Sequence, residues 1–132
     1  MKRLLLLFTF MVVSLCVSAA QPYRVYCELF VTSAFWNKKL GVSVDFGQEQ
    51  KFAGNDNRMV DENGEPIYFN SSVDAMNFMG KLGWVFEQTY TIQSEDGTPW
   101  QYWLFSCEVT SDDDVVRPLT MSEYKNREKK RR

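Results

Sequence analysis

Val25, Cys27, Leu29 and Val31 alternate with Arg24, Tyr26, Glu28 and Phe30, a period of two that predicts a strand with one strongly apolar face. After the polar bend Asn37-Lys38-Lys39, Leu40, Val42, Val44 and Phe46 alternate with Gly41, Ser43 and Asp45 and predict its hairpin partner. The stretch from Gln48 to Asn57 is polar and reads as a loop. A short β-arm follows, Arg58-Met59-Val60 and Ile67-Tyr68-Phe69, turned by Asn63-Gly64 and placed at a sheet edge by Pro66, which has no N–H. Ala75, Met76, Met79 and Leu82 recur at helical spacing and predict one helix over Val73 to Leu82, capped by Ser71 or Ser72 and ended by Gly83. Two strands close the pattern. In the first, Trp84, Phe86, Tyr90 and Ile92 alternate with Val85, Glu87, Thr89 and Thr91; in the second, Trp103, Phe105, Cys107 and Val109 alternate with Tyr102, Leu104, Ser106 and Glu108. Asp96-Gly97 joins them. With one helix there is nothing to build parallel crossovers, so the expected fold is α+β, an antiparallel sheet of about four to six strands with the helix packed on one face.

The two ends change this picture. Lys2 and Arg3 precede the apolar run Leu4 to Val13, and Ser18, Ala19 and Ala20 follow. This is the pattern of a secretory signal peptide over residues 1–20, and the run is too short for a membrane span. It predicts an exported protein, periplasmic or secreted, with no stable membrane insertion after cleavage. Leu15 before Cys16 is too bulky for a lipoprotein site, which disfavours a lipid anchor. Of 15 basic residues Lys2 and Arg3 leave with the leader, so 13 basic face 17 acidic ones and the remainder carries about −4. Residues 21–111 then form a single α+β domain, and 112–132 a charged, flexible tail. The basic end of that tail, Lys125 to Arg132, is outweighed by an acidic domain, which argues against nucleic acid as a partner.

Asn77, Gly80, Gly83 and Trp84 spell N-x-x-G-x-x-G-W, and the chain resembles a family of very small bacterial domains of unknown function that carry this helix-to-strand signature. The resemblance runs over Tyr23 to Val31 and Ser71 to Val109, and departs at Val85, where an acidic residue is common. It implies a compact α+β unit capable of self-association, and no catalytic residue. In it Gly80 and Gly83 have structural roles, close helix–sheet packing and helix termination, and Trp84 plugs the joint.

The chain has no histidine, which removes the commonest general base and metal ligand. No nucleophile elbow or phosphate loop is present, and Asp61-Glu62-Asn63-Gly64-Glu65 does not fit the calcium-loop pattern because Met59 occupies the first ligand position. No catalytic residue, metal or cofactor is assigned. Cys27 and Cys107 lie on apolar faces of the first and last strands and are a candidate disulfide if those strands are neighbours, since export permits one. Glu28, Glu87 and Glu108 read as solubilising charges on outward faces. The feature that asks for a function is that same outward face, where Tyr26, Phe30, Trp100, Tyr102 and Leu104 are large groups to leave in water. Tyr26, Phe30, Trp100 and Tyr102 are therefore the candidate contact residues of a binding or assembly module. Its occupant is a second copy, an envelope protein, a small ligand, or the 48–69 arm folded back. The alternatives are a small carboxylate-dependent hydrolase or enzyme inhibitor, and a structural component of the envelope.

Overall fold

The computed structural model describes residues 20–33, 39–49 and 54–132. The signal-peptide reading, save Ala20, lies outside them, as do Asn37 and Lys38 of the polar bend. The elements are β1 (Tyr23–Ser33), β2 (Leu40–Asp45), β3 (Tyr68–Phe69), α1 (Ser72–Lys81), β4 (Val85–Gln93), β5 (Pro99–Val109), a 3-10 turn (Asp112–Asp114) and α2 (Met121–Arg131). All pairings between the strands are antiparallel, in the spatial order β3-β2-β1-β5-β4. The fold is α+β, with a helix packed on one face of a five-stranded sheet.

The topology explains where the helix goes. β3 and β4 sit at opposite edges of the sheet, so α1, which links them, has to travel across it. Five strands span about 19 Å, and ten helical residues about 15 Å, so α1 is the right length for the crossing. Its Ala75 and Met79 are buried in one cluster with Cys27, Leu29, Val42, Val44, Trp103, Phe105, Cys107 and Val109 from the inner sheet face. Ser71 caps the helix by accepting from the Asp74 N–H. At the other end Gly83 takes φ +91°, the Gly83 N–H donates to the Gly80 carbonyl, and the Trp84 N–H donates to the Met79 carbonyl. These are the two bonds of a Schellman motif, and Met79 and Trp84 supply its apolar contact. Trp84 is buried at the joint and its indole N–H donates to the Val116 carbonyl at 2.8 Å. Gly80 differs from expectation. It is exposed, and a Cβ built there meets nothing within 4 Å, so no close packing requires a glycine at this position.

Two further expectations are corrected. A β-bulge falls between Phe86 and Gln88. Phe86 faces the core, edge-on to Phe105 at 5.6 Å. Beyond the bulge Tyr90 and Ile92 pair with Tyr102 and Trp100 and so lie on the outer face. The uniform alternation through Ile92 is broken because Glu87 is the extra residue, its carboxylate bound to Arg24 and Ser106. The segment expected as a tail is also structured. Pro118 and Thr120 are buried, and Thr120 opens α2 with a capping box closed by Glu123. Residues 119–122 run beside 56–60 through the Val60-to-Leu119, Met121-to-Arg58 and Ser122-to-Asp56 backbone bonds.

Candidate binding groove on the outer sheet face

The arm that was a candidate cover for the outer face lies elsewhere where it is described. Arg58 bridges Ser43 and the Met59 N–H donates to the Val42 carbonyl, so the arm extends the sheet beside β2 instead of folding over it. Asp61 accepts from the Asn63 and Glu65 N–H groups, and Gly64 at φ +83° closes the turn. The Tyr124 ring packs directly on Gly64, where a Cβ would overlap the ring. This contact, with the 119–122 pairing, stands α2 next to the sheet.

Between α2, residues 54–58 and the outer face is a groove of about 820 Å³. Its floor is Phe30 of β1 and Tyr102 of β5, with rings 5.9 Å apart. Trp100 meets Phe30 edge-on at 6.4 Å, and Tyr90 stacks on Tyr102 at 5.5 Å and 12°. One wall is acidic. Glu28 and Asp45 are direct cross-strand partners, an arrangement that is unfavourable for like charges. The other wall is α2, whose Ser122, Lys125, Asn126 and Lys129 recur at i, i+3, i+4 and i+7 and so share one helix face.

The ion pairs among the described residues are Arg24–Glu87, Arg58–Asp56 and Arg131–Glu128. Glu28, Asp45, Lys125 and Lys129 therefore stand without an ionic partner among them. Partial burial, reinforced by Asp45, pushes the Glu28 carboxyl above its usual value. The Tyr90 hydroxyl donates to that same carboxylate. Asp56, gripped by two Arg58 nitrogens at 2.9 and 2.7 Å, is held below the usual carboxylate range by that bonding. Among the described residues no cluster of three His, Cys, Asp or Glu could hold a metal ion, and no helix is long and apolar enough to cross a membrane.

Of the four contact residues expected from sequence, Phe30 and Tyr102 line the groove and Trp100, 40% exposed, supports its floor. Tyr26 is 53% exposed but lies two same-face rows from Phe30 along β1, beyond Glu28 and opposite Ser106, and is not part of the lining. Sequence reasoning missed Tyr90, which only the bulge turns outward. It missed the pairing of Glu28 with Asp45, a matter of register, and the helical wall. The wall did leave a signal, because Thr120-x-x-Glu123 is a capping-box pattern.

β1 and β5 are neighbours, as the disulfide candidate requires, yet Cys27 opposes Phe105 and Cys107 opposes Val25. The two thiols are thus on a diagonal, where Cα atoms stand about 7–8 Å apart, beyond the reach of a disulfide without backbone movement. Both are free and buried, and burial, with Cys107 beside it, pushes the Cys27 thiol up to about 12. No family model, curated protein or solved structure matches the chain.

Proposed function

We propose that this is an exported, non-enzymatic binding module that holds a small dipolar ligand in the groove. The observation behind the reading is the groove's composition, an aromatic floor between a wall carrying Glu28 and Asp45 and a wall carrying Lys125 and Lys129, none of them in an ion pair among the described residues. A ligand with a flat apolar group, an ammonium and a carboxylate matches all three surfaces. The ammonium goes to Glu28 and Asp45, the ring to Phe30 and Tyr102, and the carboxylate to Lys125 and Lys129. Free aromatic amino acids and short peptides have this chemistry. The test is calorimetric titration with L-tyrosyl-Nε-acetyl-L-lysine and with its counterpart blocked at both termini. The expected result is saturable binding of the free dipeptide only, weakened in the Lys125→Ala/Lys129→Ala chain, whose changes lie on an exposed helix face. Equal binding of both probes, or of the double variant, would remove the dipolar assignment. Absence of binding by either probe would count against the groove as a peptide site altogether.

A second reading rests on the opposed carboxylates. Two carboxyl groups set directly across from each other, with burial and Asp45 raising the Glu28 carboxyl above its usual value, are the kind of pair that a carboxylate-dependent hydrolase uses. Turnover of a chromogenic glycoside or ester panel, lost in Glu28→Gln, would favour it over simple binding.

A further inference from the structure

Among the described residues the sheet has one long open edge. β4 is outermost, and along its nine residues only Tyr90 is even partly buried. The opposite edge is protected by short β3, by Pro66 and by the arm beside β2. Natural edges are blunted by lysine, proline or a covering segment. In β4 the regular part, Gln88 to Gln93, reads Gln-Thr-Tyr-Thr-Ile-Gln, with no charge, proline or glycine. The bulge comes before it.

The turn fixes which backbone groups face outward. The Ser94 N–H donates to the Thr98 carbonyl at 3.0 Å. Hydrogen-bonded and non-bonded pairs alternate along an antiparallel ladder. Ile92, Tyr90 and Gln88 therefore bond to β5, while Thr89, Thr91 and Gln93 direct their N–H and C=O away from the sheet. Gln93 lies opposite Pro99, which has no N–H to offer, in agreement with this phase.

We propose that β4 pairs antiparallel with β4 of a second copy of this chain, about a two-fold axis at Tyr90. That register sets Thr89 against Thr91, Gln88 against Ile92 and Glu87 against Gln93, so no like charges oppose one another. A shift that centred the pair on Thr91 would set Glu87 against Glu95. A shift centred on Thr89 would run into the bulge. The register also continues a row already present. Phe30, Tyr102 and Tyr90 lie in successive strands of the outer face with rings 5.9 and 5.5 Å apart, and the row stops at the edge. A second Tyr90 extends it across the axis and covers Ile92, now 50% exposed.

The experiment is light scattering on the purified chain over a concentration series. Wild type is expected to approach twice the chain mass as concentration rises. Thr91→Pro removes an N–H that points away from β5, so it should leave the monomer's far-UV spectrum and urea midpoint close to wild type while holding the mass at one chain. Ile92→Lys, a change at an exposed side chain, should do the same by placing a charge in the seam. Tyr90→Cys tests the register: a non-bonded pair has Cα atoms about 4.5 Å apart, within disulfide range, and the variant should oxidise to a covalent dimer. A single-chain mass at the highest soluble concentration would overturn the proposal. So would a dimer indifferent to both Thr91→Pro and Ile92→Lys.

Discussion

Gly80 and Gly83 belong to one sequence signature and have opposite physical standing. Gly83 sits at φ +91°, a region where a Cβ costs about 1–2 kcal/mol. Gly80 is a helical, exposed residue with open space around it, where alanine is worth roughly 1 kcal/mol more than glycine. Urea unfolding should therefore move in opposite directions, Gly83→Ala lowering the midpoint and Gly80→Ala raising it. Equal losses would mean that both glycines are structurally required. The helix-ending role was legible because a positive-φ position after a helix selects glycine. That Gly80 faces open space was not legible, since sequence spacing does not say whether a helix face is covered. Glu28 supplies a second test. Its carboxyl is raised in the fold, by burial first and by Asp45 second, so the folded state binds the proton more tightly than the unfolded one. Stability is then lost as pH rises from the ordinary glutamate value, 4.5, through the higher folded value. Glu28→Gln should be more stable than wild type at neutral pH, with the advantage shrinking to nothing on acidification below the ordinary value. A constant difference across that window, followed by thermal unfolding, would contradict the assignment.

The elements that periodicity defines are the ones the sequence made plain: β1, β2, β5 and α1 follow unbroken periods of two or about 3.6. α1, expected at Val73 to Leu82, runs Ser72–Lys81. What stayed hidden has local causes that break a period. One residue of bulge at Glu87 transfers Tyr90 and Ile92 from the inner face to the outer. α2 has a polar composition that resembles a solvated tail, and it is organised from its first turn instead of an apolar face. Thr120 is buried, accepts from the Glu123 N–H and is bonded in return by the Glu123 carboxylate. Removing such a cap costs about 1 kcal/mol. Thr120→Ala should lower stability by about that amount in urea unfolding. It should also weaken dipeptide binding, because the lysine wall hangs from this cap. Thr120→Ser, which keeps the hydroxyl, should restore most of both. A loss of stability with binding intact would show that the groove does not depend on the position of α2.

At the scale of the molecule, helix and groove occupy opposite faces of one sheet, and the open edge lies between them. This separation lets the core be completed on one side by α1 while the outer face keeps its aromatic row. Antiparallel pairing of two β4 edges has its two-fold axis perpendicular to the sheet, so both outer faces would look the same way. Five strand spacings then separate one β1 from the other, placing the two grooves about 24 Å apart on one surface. A molecule so built holds a repeating or densely displayed ligand at two points. Linked engagement of this kind strengthens attachment by about 10²–10⁴-fold over a single site. The measurement is surface plasmon resonance with tyrosyl-lysine coupled through the lysine side chain, which leaves both termini free, at sparse and dense loading. Wild type should dissociate at least ~10-fold more slowly from the dense surface than from the sparse one. Thr91→Pro should dissociate at one rate from both, matching wild type on the sparse surface, because its groove is untouched. If density slowed Thr91→Pro as much as wild type, two grooves joined through β4 would not be the source of the effect.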